Sequence, residues 1–294
     1  MQDVLNAAQL GSVYLLFALG MALAWGTIGI LNFAHGATFM FSAFVAHLVS
    51  QAFALPLPLA LLISVLTGAL ISVATQVFAF QPIIHRSRNI TTAETRILIG
   101  GIGVASIPLA IAQRMTHSAP FGINTTYQDV VWDLGLFRLS STSLIVLIAG
   151  IGLGLGIIFW LRRSKQGLAL RAIGVDSETA AGMGINQFFL SIGTMAVAGG
   201  LAGLAGALLT IQLRAIAPET GDQLIIKAFA IIVLGGLGSM TGAFIGSFIL
   251  ATVETLVLKA NLGSWVDAVS FGLIFIVLLL RPQGILGRKE VRRT

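Results

Sequence analysis

The stretch Thr142-Ser143-Leu144-Ile145-Val146-Leu147-Ile148-Ala149-Gly150-Ile151-Gly152-Leu153-Gly154-Leu155-Gly156-Ile157-Ile158-Phe159-Trp160-Leu161 holds no charged side chain and runs directly into Arg162-Arg163. About 20 apolar residues suffice for a helix to cross the ~30 Å hydrocarbon core of a bilayer. The basic pair that follows marks an end held at the cytoplasmic surface. This segment is therefore read as a transmembrane helix. Further apolar runs fall at 10–31, 36–55, 57–81, 97–113, 188–213, 223–236, 242–258 and 265–280. They are continuous rather than alternating, which argues against a membrane β-barrel. The fold class is all-α, a polytopic transmembrane helical bundle of about eight crossings, with a range of seven to nine. No linker or shift in composition divides residues 1–294, so a single transmembrane domain is expected.

Composition agrees. Hydrophobic residues make up 56% of the 294 and charged residues only 10%, against about a quarter charged in soluble domains. The 34 glycines suit close helix packing in lipid, where small residues let backbones approach. The pairs Gly150/Gly154, Gly152/Gly156, Gly199/Gly203, Gly238/Gly242 and Gly242/Gly246 are candidates for such contacts. With no cysteine, disulfides, thiolate zinc sites and cysteine nucleophiles are excluded.

The net charge of +6 orients the chain in the membrane and does not point to nucleic acid. Twelve of the 17 basic residues lie in three segments, 82–96, 162–187 and 281–294. Such segments stay cytoplasmic. Three apolar runs precede the first of them, which places the N-terminus outside and the C-terminus in the cytoplasm. Segment 114–141 is then an external loop. Run 223–236 spans only about 21 Å at 1.5 Å per residue. It either crosses with 242–258 or forms a re-entrant pair with it. Lys227, Glu254 and Asp267 are charges in or near apolar runs. Each is read as structural or interfacial, reaching a nearby helix end.

Two apolar stretches are interrupted, at Gly29-Ile30-Leu31-Asn32-Phe33-Ala34-His35-Gly36-Ala37 and at Gly235-Gly236-Leu237-Gly238-Ser239-Met240-Thr241-Gly242-Ala243. A constant offset of 206 pairs Gly29 with Gly235, Leu31 with Leu237, Gly36 with Gly242 and Ala37 with Ala243. Paired broken helices in the two halves of a transporter mark the substrate route. Non-helical backbone at membrane depth must face protein or water, and its freed polar groups can serve a polar substrate. Asn32, His35, Gly36, Gly235, Gly236, Gly238 and Ser239 are the candidate pathway residues. The competing reading makes both stretches tight interhelical turns, with His35 bridging helices.

Segment 162–187 carries a candidate docking helix. Asp176 or Ser177 can cap a helix running from Glu178 to Met183, with Gly184 ending it. Gly174, Glu178, Ala180, Ala181, Gly182, Gly184 and Ile185 would then offer a small apolar surface to a cytoplasmic partner. An amphipathic loop lying on the lipid surface is the alternative.

Four motifs carry a resemblance. Asn32-Phe33-Ala34-His35-Gly36 is similar to the signature of LivH-type branched-chain amino acid permeases. Segment 162–187 resembles the coupling loop that ABC importer permeases seat in their ATPases. The glycine motif 235–243 and the ending Arg281-Pro282-Gln283-Gly284-Ile285-Leu286-Gly287-Arg288 resemble later motifs of the same family, in family order. Thr38 stands near a position where relatives often carry an acidic residue. The resemblance implies a permease subunit of a bacterial inner-membrane ABC importer for branched-chain or other hydrophobic amino acids. Its implied partners are a LivM-like second permease, two cytoplasmic LivG/LivF-like ATPases that bind ATP and Mg, and a periplasmic binding protein. Relatives that move urea, short amides or aromatic acids keep the substrate open. No Gly-Lys dipeptide occurs, so the chain has no Walker A loop, and no cofactor of its own is expected. Neither G-x-S-x-G nor H-E-x-x-H occurs, which argues against an intramembrane enzyme. A stand-alone channel or secondary transporter is the other alternative, and it would need no coupling helix.

Overall fold

A computed structural model describes residues 1–29, 32–87, 90–133, 135, 137–281 and 283–287, with the backbone alone at 27, 28, 90, 91, 175, 177 and 178. The chain is helical almost throughout. In order come α1 (Gln2–Ile28), α2 (Ala34–Ala52), α3 (Leu57–Ala74), α4 (Gln81–Arg86), α5 (Ile90–Thr116), α6 (Ser141–Arg163), α7 (Lys165–Val175), α8 (Ser177–Gly182), α9 (Gln187–Leu213), α10 (Thr220–Gly235), α11 (Met240–Lys259) and α12 (Val266–Leu280). A π-helical turn, Thr75–Phe80, carries α3 into α4 without a break. Among the described residues, the one sheet is a short antiparallel pair, β1 (Val131–Asp133) with β2 (Arg138–Ser140).

Among the described residues, seven spans are long and apolar enough to cross a membrane: Gln2–Gly26, Leu57–Arg86, Thr92–Thr116, Ser141–Arg163, Gln187–Leu213, Met240–Lys259 and Gly263–Leu280. The fold is thus the polytopic helical bundle expected. Two further apolar helices fall short for different reasons. α10 has 16 residues, about 24 Å at 1.5 Å per residue. α2 is long enough but carries buried His35, Thr38, Ser42 and Ser50. A helix enclosed by protein does not need a fully apolar surface.

By contact density the chain forms two compact units, one of 1–22, 130–158 and 226–294, the other of 23–129 and 159–225. α1, α6 and α10 each begin in one unit and end in the other, which is why no linker is visible in the sequence.

In the second unit α2, α3 and α9 form the core. A Cβ at Gly199 would stand 2.2 Å from the Gly68 carbonyl oxygen, and one at Gly203 2.1 Å from that of Ser64. Backbones this close leave no room for a side chain. Ser64 Oγ also donates to the Ser42 carbonyl of α2 at 3.2 Å. Farther along, His47 Nδ1 donates to the Gly122 carbonyl, and Phe121 exchanges backbone bonds of 3.0 Å with Ile216. The 117–126 segment is thereby tied over the ends of α2 and α9.

In the first unit α6 packs on α1. Gly150 lies against Ser12 and Gly154 against Leu15, whereas Gly152 and Gly156 have open space around them. Only one of the two interleaved glycine pairs therefore serves packing. Gly203→Ala is expected to destabilise the protein by about 1–3 kcal/mol through overpacking. Gly156→Ala should change stability by less than about 0.5 kcal/mol. Thermal unfolding of the detergent-purified variants checks the pair, and equal shifts would contradict the packing described.

Candidate functional site

The first break opens on Asn32, whose side chain is buried at 3% exposure. Its Oδ1 accepts the Ala34 N–H at 3.0 Å, and its carbonyl accepts the His35 N–H at 3.1 Å. Asn32 thus starts α2 by satisfying donors that a helix N-terminus leaves free. His35, in the first turn, is fully buried. At Gly36 a Cβ would stand 2.4 Å from the Gly221 carbonyl oxygen and 2.6 Å from the Ile225 side chain. The start of α2 therefore meets the start of α10 backbone to backbone. The backbone nitrogens of Phe33 and Ala34 lie 3.5 and 3.8 Å from the Cβ position of Gly101, inside the apolar stretch of α5. The break is thus beside apolar helix and not at the charged end of α5. Ile30 and Leu31 lie outside the described residues.

The second break, in the other unit, has a different character. Gly235 and Gly242 touch through their backbones, and Gly236 and Gly238 take φ values of +103° and +78°. Ser239 caps α11, its Oγ accepting the Gly242 N–H at 3.0 Å. The C-terminal segment returns to this turn. Ile285 N–H donates to the Leu234 carbonyl at 2.8 Å and Leu286 N–H to that of Gly235 at 3.0 Å. These are carbonyls that the end of α10 would otherwise leave unmet. The two glycine-bearing motifs, far apart in the sequence, form one strapped turn. This arrangement has the geometry of the tight-turn reading. Pro282 and Arg288 lie outside the described residues.

A buried ionic cluster was not legible in the sequence. Glu254 is 2% exposed. Its carboxylate receives Tyr14 Oη at 2.7 Å, Lys227 Nζ at 2.9 Å and Ser270 Oγ at 2.9 Å. Lys227 also donates to Tyr14 Oη at 3.1 Å and lies 3.9 Å from the exposed Asp267 carboxylate. Of the structural and interfacial readings, Glu254 and Lys227 take the structural one, and neither reaches out to a helix end. Each finds its counter-charge inside the protein, so neither needs water. Four helices (α1, α10, α11 and α12) supply the cluster. Two opposite charges in neighbouring apolar runs were the available signal, but nothing local in the sequence pairs them.

The 162–187 segment holds more helix than expected. Ser164 Oγ caps α7 by accepting the Gly167 N–H at 2.9 Å, and the Arg171 guanidinium donates to the Leu161 carbonyl. Ser164 is itself a cap signal that marks α7. Asp176 caps α8, with Oδ1 accepting Thr179 N–H at 3.0 Å and Oδ2 accepting Thr179 Oγ1 at 2.6 Å. Gly184, at φ +86°, ends it, and Ile185 N–H closes onto the Ala180 carbonyl at 3.2 Å. One expectation is corrected: Ala180 is turned inward, at 4% exposure, because it sits on the side of this short helix that packs. Ala181, Gly182, Met183 and Gly184 form the exposed edge, with Met183 82% exposed. Ile185 is half-buried, and Gly174 belongs to α7, where an added Cβ would stand 3.6 Å from the Gly26 carbonyl oxygen. The Glu178 side chain lies outside the described residues.

The chain is 32% identical to the high-affinity branched-chain amino acid transport permease LivH of Salmonella typhimurium, over 100% of this chain and 97% of the relative. It is 29% identical to BraD of Pseudomonas aeruginosa, over 100% and 97%. It is 30% identical to a probable LivH permease of Methanocaldococcus jannaschii, over 94% and 89%. No solved structure matches. A family profile described as "Branched-chain amino acid transport system / permease component" matches residues 4–278, and the chain therefore belongs to that family.

Proposed function

We propose that this chain is the membrane-spanning permease subunit of an ABC importer for branched-chain or other hydrophobic amino acids. Its full-length similarity to LivH and BraD permeases carries the reading. The partners that follow are a second, LivM-like permease, two LivG/LivF-like cytoplasmic ATPases that bind ATP and Mg, and a periplasmic binding protein. In this reading the N-terminus is periplasmic and the C-terminus cytoplasmic. Asn32, His35 and Gly36 flank the route, supported by a helix break beside the apolar stretch of α5. Gly235, Gly236, Gly238 and Ser239 act on the route through the turn they form. Ala181, Gly182, Met183 and Gly184 seat in an ATPase groove, with Gly174, Glu178, Ala180 and Ile185 building the support behind them.

One preparation tests function and coupling together. In proteoliposomes holding the complete importer, leucine uptake should require ATP hydrolysis and loaded binding protein. Flux without ATP would favour a stand-alone channel, and preferential uptake of urea, short amides or aromatic acids would reassign the substrate. In the same cysteine-free background, Met183→Cys should react only with reagent on the cytoplasmic side. Bound ATPase should slow that reaction by at least about tenfold, equivalent to about 1.4 kcal/mol. Reaction from the outer face would reverse the orientation, and an unchanged rate with ATPase bound would remove α8 from the interface.

A further inference from the structure

Four polar side chains run along the continuous helical segment that ends at Arg86. Ser72 and Gln76 are four residues apart, Gln76 and Gln81 five, and Gln81 and His85 four. Residues four apart share a face of an α-helix, but a step of five turns the next side chain off it. The π-helical turn Thr75–Phe80 accommodates that extra residue. Gln76 Nε2 accordingly donates to Gln81 Oε1 at 3.4 Å, and Gln81 Nε2 meets His85 Nε2 at 3.0 Å. Burial is graded along the track. Ser72 and Gln76 are each 1% exposed, Gln81 is half-buried and His85 is exposed.

The inner end is unmatched. Ser72 Oγ and Gln76 Oε1 have no hydrogen-bond partner among the described residues. The α9 backbone lies against Ser72 at Gly199, where a Cβ would stand 2.4 Å from Ser72 Oγ. Buried polar atoms are otherwise nearly always paired, and alanine and leucine at these positions would pack without that penalty. Two unmet polar groups one turn apart, on a π-bulged helix, therefore point to a ligand with its own donors and acceptors.

We propose that Ser72 and Gln76 form a transient binding site for the zwitterionic head of the transported amino acid, and that Gln81 and His85 lead from it to the membrane surface. This rests on the amino-acid importer reading given above. Gln76 Oε1 can accept from the ammonium group, and Ser72 Oγ can donate to the carboxylate. Both partners are neutral, so the empty route leaves no unpaired charge in the membrane, where a charge would be costly. In the conformation described the site is closed over, as one station of an alternating route should be.

The test uses the complete reconstituted importer with leucine as probe. Wild-type uptake must be present first, and its absence would refute the importer reading rather than this one. Ser72→Ala and Gln76→Leu each remove an unmatched buried polar atom, so thermal stability should hold or rise. Uptake should fall by at least about tenfold, while ATP hydrolysis stimulated by loaded binding protein persists. Uptake within about twofold of wild type in the double variant overturns the proposal and leaves the pair as a site for water alone. Loss of both uptake and the stimulation of hydrolysis also overturns it, since that is the signature of a structural role. If Gln76→Leu does not assemble, Ser72→Cys decides. A small water-soluble thiol reagent should modify it during turnover, and saturating leucine with loaded binding protein should slow the reaction. Absence of modification, or no slowing, overturns the assignment.

Discussion

Truncating Glu254 to alanine is expected to destabilise the folded permease by about 3–5 kcal/mol, the usual consequence of removing one partner of a buried ion pair. The carboxylate accepts from Lys227 and Tyr14 at 2.9 and 2.7 Å and from Ser270 at 2.9 Å. Without it the Lys227 ammonium, 15% exposed, keeps, among the described residues, Tyr14 Oη and a distant Asp267. Asp267 is 3.9 Å away and 73% exposed, so solvent screens most of its attraction. The loss should be larger than for an average pair because α10 depends on the contact. Its 16 residues are too few to span the hydrocarbon core unaided, and Lys227 is its one basic residue. The double variant Lys227→Met/Glu254→Leu removes both charges and should recover most of the stability, since apolar replacements of a buried pair are often neutral or better. Thermal and denaturant unfolding of the three purified proteins decides. A Glu254→Ala protein as stable as the wild type, or a double variant as unstable as the single, would sink the account.

The helices were legible because bilayer solvent imposes a simple rule: runs of about 20 apolar residues must be helical. All nine runs coincide with helices, from α1 through α12 without the short α4, α7 and α8. Less visible were features set by partners distant in sequence. For Glu254 and Lys227 the structural and interfacial readings stay open in the sequence, which shows distance from a helix end but not which side of the helix faces protein. Ala180 and Ala181 are chemically identical, and only the packed helix shows that the first is covered. The π-turn leaves one trace, the four-five-four spacing of Ser72, Gln76, Gln81 and His85, which has meaning only once those residues share a helix. At the candidate site, the break at Asn32 could be read locally, since Asn32, His35 and Gly36 interrupt an otherwise apolar stretch. The strap across Gly236 could not, because its other half lies at the far end of the chain.

That strap leads to the second large effect. Gly236→Ala is expected to lower stability by about 3 kcal/mol or more. Two costs combine: about 1–3 kcal/mol for a side chain held at an unfavourable backbone conformation, and about 1–3 kcal/mol for overpacking. The conformation is φ +103°. The crowding comes from backbone, with the new Cβ 2.4 Å from the Gly287 nitrogen and 3.0 Å from the Gln283 carbonyl oxygen. Backbone cannot swing aside as a flexible side chain can. Gly238→Ala is the internal control. It has φ +78° but nothing within 4 Å, so only a strain of about 1–2 kcal/mol remains. Deleting residues 283–294 separates the two costs of Gly236→Ala. The deletion itself should destabilise, because the Leu234 and Gly235 carbonyls lose donors at 2.8 and 3.0 Å. With the tail gone, however, Gly236→Ala meets no Gly287, and its cost should shrink by about 1–2 kcal/mol, a coupling typical of residues in contact. If the substitution costs the same in both backgrounds, the tail does not strap the turn. If Gly236→Ala leaves stability untouched and abolishes uptake alone, Gly236 serves the route directly, and the strap is incidental to it.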